Sequence, residues 1–318
     1  MNATARGAAI AGRRSGRFYT CMDVPIPEAA SRPAFVVSQP VLQTVPIVFV
    51  SPHSGTEYEA AFLRDSRLDM ANLRRSEDMF VDELFAAAPL HGAPLLCATF
   101  PRAFCDANRE KWELDPAMFH GALPPFVNTR SLRVGAGLGT IARVVASGEA
   151  IYRQKLTFAE AAERVERCWQ PFHDTLRRLV DETRADFGAC LLIDCHSMPA
   201  QGVARPPGAD IVLGDAHGTS CAPAAMRSLE QAFLAIGRIV RRNEPYAGGF
   251  ITRHYGRPRE GVHALQVEIA RSLYMDETSF QKRPGFARLQ KELAALIARL
   301  AGESFAMLGC EGKKTAAP

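Results

Sequence analysis

The chain has 318 residues, 47% hydrophobic and 23% charged, with a formal net charge of +4. That is the balance of an ordinary globular protein able to bury a sizeable core. No basic block is dense enough for nucleic acid, and no stretch approaches the ~18 apolar residues of a membrane-spanning helix, so neither is an expected partner. Arginine dominates the cations, which suits small carboxylate or phosphate ligands because guanidinium binds them bidentately. Eight cysteines stand at 21, 97, 105, 168, 190, 195, 221 and 310, none in a Cys-x-x-Cys pair. They read as free thiols, mostly buried, of a reducing compartment. The N-terminus lacks a signal-peptide core, and the cytoplasm is the expected location.

Residues 1–44 read as an irregular arm. Val45–Ser51 is an apolar run that predicts a strand and lands on His53, beside Ser54 and Gly55. Residues 71–88 carry Met79, Phe80, Leu84 and Phe85 near helical spacing, which predicts an amphipathic helix. Leu95–Thr99 predicts a second strand, leading to Asp106, Asn108 and Arg109. Residues 110–140 hold many Gly and Pro; a connection this long is uncommon and usually functional. Phe158–Phe187 predicts a long amphipathic helix, with Thr157 as N-cap, Glu160 completing a capping box and Gly188 just past the end. A strand at 190–194, a Gly- and Pro-bearing loop, a strand at Asp210–Leu213 and a helix over roughly 222–240 follow. Phe250–Thr252 and Ala264–Ile269 read as strands. A final helix over about 278–301 leads into a tail, with residues 306–318 outside the domain. Strands alternating with helices predict a single α/β domain over 45–305, its mixed, mostly parallel central sheet flanked by helices.

Ligands of open α/β sheets bind at the carboxyl ends of the strands. Three apolar runs end there in polar groups: PIVFVSPHSG in His53, LLCATFPRAFCDANRE in Asp106, Asn108 and Arg109, and CLLIDCHSMP in Asp194, His196 and Ser197. A hydrolytic zinc site takes two His and one Asp or Glu and leaves a position for water. His53 and His196 are the candidate imidazoles; Glu57, Glu77 and Asp78 are the candidate carboxylates. Asp194, two residues from His196, suits a supporting role behind a ligand. Asn108 and Arg109 suit a substrate carboxylate, with Arg102, Arg130 and Arg133 as further cations in nearby loops. Glu268, in the apolar run HALQVEIARS, is costly to bury without a task, and beside a zinc-bound water that task is proton transfer. GAGLG at 135–139 does not complete a nucleotide-binding GxGxxG, and no GxSxG elbow is present. Cys195 and His196 are sequence neighbours on a strand, so they face opposite ways and make a poor Cys-His dyad.

SPHSG at 51–55, EDMFVDELF at 77–85, CDANRE at 105–110, NTRSLRVGAGLGT, and IDCHSMP at 193–199 together resemble the N-formylglutamate amidohydrolase family. GGFITRHYG at 248–256 and LQVEIAR at 265–271 extend the resemblance to about residues 45–275. It implies a sandwich similar to the zinc carboxypeptidases and one zinc ion (Zn2+) per chain, held by His53, Asp78 and His196. Glu268 would be the base that becomes an acid, and Asn108 and Arg109 would hold the α-carboxylate. Arg102, Arg130 or Arg133 would take a side-chain carboxylate. His254 and Tyr255 would support the oxyanion, Asp194 would lie behind the metal, and Ser197 would touch substrate or cap a turn. The implied substrate is a small anionic N-acyl amino acid, N-formyl-L-glutamate first, and the implied assembly a monomer or homodimer. Two positions depart from the pattern. Thr56 stands where carboxypeptidases carry the metal Glu, three residues after the first His, and Phe80 stands where the family tends to carry a polar aromatic such as His. A deacylase or amidase for another acyl group, or a metal-containing binding protein without turnover, are the competing expectations.

Overall fold

The computed structural model describes residues 33–145, 147–199 and 208–310. Seven strands form one sheet: β1 (Phe35–Ser38), β2 (Ile47–Ser51), β3 (Leu95–Ala98), β4 (Cys190–Met198), β5 (Ile211–Gly214), β6 (Val240–Arg242) and β7 (Val262–Ala270). Their spatial order is β1-β3-β2-β4-β7-β5-β6. The contiguous core β3-β2-β4-β7 is parallel, β1 is an antiparallel edge, and β5 runs antiparallel to β7. A small antiparallel pair, β8 (Met275–Asp276) and β9 (Gln281–Lys282), stands apart. The helices are α1 (Ala60–Asp65), α2 (Met70–Arg74), α3 (Val81–Leu84), α4 (Leu132–Gly135), α5 (Phe158–Arg164), α6 (Gln170–Phe187), α7 (Pro223–Ala235), α8 (Phe250–Tyr255) and α9 (Gly285–Leu308).

The central strands are buried on both faces, as a parallel sheet covered by helices requires. Alternation sorts their side chains into two cores. Val48, Val50, Leu192 and Ala264 pack with Phe172, Leu176 and Ile251 on one side. Ile47, Phe49, Ile193, Cys195 and Leu265 pack with Leu229, Leu293 and Leu296 on the other. This mixed, mostly parallel α/β layering matches the expected class. Cys195 lies in the second core, on the face opposite its neighbour His196, as strand geometry demands.

Several expected elements change, each for a local reason. The arm expected to be irregular contains an edge strand, Phe35–Ser38, paired with β3; residues 1–32 lie outside the described residues. The helix expected over 71–88 is broken into α2 and α3, because Asp78 between them turns its carboxylate to two histidines. Phe80 then opens α3 at φ 65°, a left-handed conformation uncommon for a bulky residue. Phe250–Thr252 is helical rather than extended. The Gly249 and Ile251 N–H groups donate to the Gln266 and Asn108 side chains, so tertiary capping overrides β propensity. The helix expected to 240 stops at Ala235 near left-handed Gly237, and Val240–Arg242 pairs with β5 instead. The last helix starts later and ends later than expected, bounded by Pro284 and left-handed Gly309. Residues 200–207 of the expected loop after β4 and residues 311–318 lie outside the described residues.

The long helix expected from Phe158 does begin with a Thr157–Glu160 capping box and ends at left-handed Gly188. It is interrupted by a π-helical turn, Val165–Trp169. Pro171, one residue into α6, lacks an N–H and would clash with the carbonyl four residues back; the wider turn relieves this.

Candidate metal centre and substrate cavity

Because β2, β3, β4 and β7 are parallel neighbours, their carboxyl ends share one edge of the sheet. His53 follows β2, Asp106 and Asn108 follow β3, and His196 lies near the end of β4. Glu268 on β7 stands opposite His196 in register, and Gln266 stands opposite Asp194. All of these side chains are buried or nearly so.

His53, Asp78 and His196 form a cluster of potential metal-ligating atoms, mutually within 4.8 Å. Asp78 Oδ2 lies 3.3 Å from His53 Nδ1 and 2.8 Å from His196 Nδ1. Donors around one zinc ion, each bonded at about 2.0–2.2 Å in a tetrahedral array, stand roughly 3.3 Å apart, so this set fits a metal. The far nitrogen of each imidazole faces a carboxylate oxygen. His53 Nε2 is 2.7 Å from Asp106 Oδ1, and His196 Nε2 is 2.9 Å from Asp194 Oδ1. A carboxylate behind a ligating imidazole fixes its tautomer and strengthens its basicity. Of the three carboxylates left open by sequence, the geometry brings Asp78 to the histidines. Glu77 is engaged by Tyr58 at 2.7 Å and by Arg74 at 3.2 Å, and Glu57 is exposed.

The charges are tightly balanced. Burial alone would raise the Asp78 carboxyl, but bonds from His196 and His53 hold it well below the ordinary range. Asp106 is likewise held low against burial, by Arg102, His53 and Arg109. Burial opposes a charge on His196, yet Asp194 and Asp78 hold its imidazolium form well above the ordinary range. Burial pushes Glu268 up to about 7, with Asp78 and Asp194 adding to the effect and His196 opposing it. Gln266 Nε2 donates to Glu268 Oε1 at 2.8 Å and fixes that carboxyl's orientation.

A cavity of about 620 Å³ opens on this cluster. His53, Asp78, His196, Ser197, Glu268, Asn108, Arg109, Arg102 and Arg133 all line it. The Asn108 amide nitrogen lies 3.0 Å from His196 Nε2, its Oδ1 accepts the Ile251 N–H at 2.8 Å, and Arg102 reaches Asp106 at 2.8 Å. Ser197 Oγ donates to Asp78 Oδ1 at 3.1 Å, so this hydroxyl steadies the acidic member of the cluster. The structure does not bring His254 or Tyr255 to the cavity: His254 is exposed and stacked on Phe250, and the Tyr255 hydroxyl is 3.0 Å from buried His173. Arg130 is exposed and away from the lining. Phe80 also stays out of the cavity, packing its ring on Phe286.

Sequence reasoning gave no role to Asp106, Gln266 or Arg271. Arg271 is buried and donates to Ser197 Oγ, the Glu77 carbonyl and Asp78 Oδ1 at 3.1, 2.7 and 3.2 Å. It thereby holds both the backbone and the carboxylate of the broken-helix turn. Its one signal in the sequence is a cation directly after the apolar strand that carries Glu268. GAGLG serves packing: a Cβ on Gly139 would lie 2.1 Å from the Glu113 carbonyl oxygen.

Residues 45–275 match the family model for N-formylglutamate amidohydrolase. An N-formylglutamate deformylase of Pseudomonas putida is 31% identical over 267 residues, covering 80% of this chain and 93% of that protein. A Pseudomonas aeruginosa N-formylglutamate deformylase is 31% identical, covering 73% and 83%. The crystal structure of an N-formylglutamate amidohydrolase from Ralstonia eutropha JMP134 superposes with a TM-score of 0.80 at 37% identity, covering 86% of this chain and 99% of that one. The extent and level of these matches place the chain in the N-formylglutamate amidohydrolase family.

Proposed function

We propose that this protein is a zinc-dependent amidohydrolase that converts N-formyl-L-glutamate and water to formate and L-glutamate. The observation that carries it is the pairing of a two-histidine, one-aspartate cluster with a buried glutamate on the adjacent strand, in a chain related to N-formylglutamate deformylases. His53, Asp78 and His196 would hold the metal, with Asp106 and Asp194 behind the imidazoles. When bound, a zinc ion supplies Lewis acidity, polarising a carbonyl oxygen and acidifying water. Glu268 takes the proton of the attacking water and delivers it to the departing nitrogen as the formyl C–N bond breaks. Burial raises the Glu268 carboxyl above the ordinary carboxylate range, which favours a group that must both accept and return a proton. Arg109 and Asn108 bind the α-carboxylate, and Arg102 and Arg133 attract the side-chain carboxylate, with guanidinium supplying paired charge-assisted bonds.

Formate release from N-formylglutamate by zinc-loaded protein tests the reaction. Glu268→Gln keeps the metal and lowers kcat by about 10²–10⁴-fold, the usual weight of a proton-transfer group. Normal turnover in that variant rejects the mechanism. Arg109→Ala raises KM with a smaller change in kcat; an unchanged KM removes the carboxylate-clamp role.

A further inference from the structure

The π-helical turn and the first turn of α6 lie against the segment that carries Asn108. Trp169 Nε1 donates to the Arg109 carbonyl at 2.9 Å. His173 Nε2 lies 2.8 Å from the Ala107 carbonyl, and since a carbonyl only accepts, this nitrogen carries the proton. The two ring centroids lie 3.9 Å apart with their planes tilted by 31°, one helical turn apart along the chain. Both residues are buried. The carbonyls on either side of Asn108 are thus held by one helix, in the register set by the wide turn at Pro171.

The rest of the segment is equally tied. Asp106 N–H donates to the Thr140 carbonyl at 2.7 Å, and Asn108 N–H donates to Asp106 Oδ1 at 2.8 Å. Arg109 Nη1 caps the Asn108 carbonyl at 2.7 Å, and its Nε reaches the Leu138 carbonyl at 2.7 Å. Two side chains from α6 and its π turn therefore complete the hydrogen bonding of a loop with no strand neighbours of its own.

We infer that Trp169 and His173 are positioning residues that set the place of the Asn108–Arg109 pair, and through it the binding of the substrate's α-carboxylate. This rests on the assignment of that pair as the carboxylate clamp. Burial pushes His173 down to about 3, so its donor is present as a neutral imidazole at working pH.

The test uses zinc-loaded protein and two substrates: N-formylglutamate and N-formyl-4-aminobutyrate, which lacks only the α-carboxylate. His173→Leu raises KM for N-formylglutamate by about tenfold, the weight of roughly one hydrogen bond, with kcat and zinc content nearly unchanged. Its kcat/KM on the analogue stays at the wild-type level. His173→Gln, whose amide restores a donor toward Ala107, recovers most of the KM. Trp169→Phe, which keeps a ring and loses the N–H, behaves like His173→Leu. Equal losses on both substrates, or an unchanged KM in these variants, overturn the inference. Arg109→Ala separates the two levels: if it leaves KM alone, the clamp itself is misassigned. If it raises KM while His173→Leu and Trp169→Phe do not, only the positioning role falls.

Discussion

Asp106 shows how much of the candidate site lies in residues that hold other side chains in place. Its two oxygens serve His53, Arg102 and the Asn108 N–H, so one carboxylate ties a metal-ligand candidate to the proposed carboxylate clamp. Asp106→Asn keeps the size and removes the charge. It is expected to weaken zinc binding by about 10–100-fold, measured by competition with a chromophoric chelator. Unaltered affinity would make Asp106 a spacer. The equivalent support for His196, from Asp194, was legible in the sequence because the two residues are close neighbours on one strand. The support for His53 comes from another strand end, so no local pattern announces it. Arg271 was missed for the same reason, since its partners Ser197 and Asp78 are remote in sequence.

Elements with strong periodicity and flanking caps were the legible ones. The strand carrying His196, the capping box at Thr157 and the stop at Gly188 all follow from local chemistry. The misread elements are those bent by the site. α2 and α3 part to deliver Asp78, and α8 replaces a strand because Asn108 and Gln266 cap its first N–H groups. The 110–140 segment has little regular structure, yet it is tightly anchored: Thr140 N–H donates to the Glu113 carbonyl at 2.7 Å while the Thr140 carbonyl receives the Asp106 N–H. Gly139→Ala would drive a Cβ into that carbonyl and is expected to cost about 2 kcal/mol, read as a lower urea midpoint at constant slope. An unchanged midpoint would show that the Gly139–Glu113 approach relaxes freely.

For the whole molecule, buried His173 sets an acid limit on stability. Its folded-state pKa lies near 3, below the ordinary 6.5, so the unfolded chain binds the extra proton as pH falls. Its contribution is therefore intact above about pH 6.5 and is lost progressively toward pH 3, on the order of 5 kcal/mol over the full span. His173→Gln should show a flatter decline in unfolding free energy than wild type over that range, measured by urea titration at several pH values. Parallel curves would mean that His173 titrates in the folded protein much as it does in the unfolded one.

The parallel register of β2, β4 and β7 has a consequence for how such a protein can change. His53, His196 and Glu268 hang from adjacent strands whose separation, about 4.8 Å, is set by main-chain hydrogen bonds. Arg133 instead comes from the 110–140 excursion. The proposed reactive centre is written in the sheet and part of the cavity wall in a loop, so mutation can redraw the second while the first stays in register. Grafting that loop between relatives is thus a route to new acyl amino acid preferences on an unaltered reaction frame.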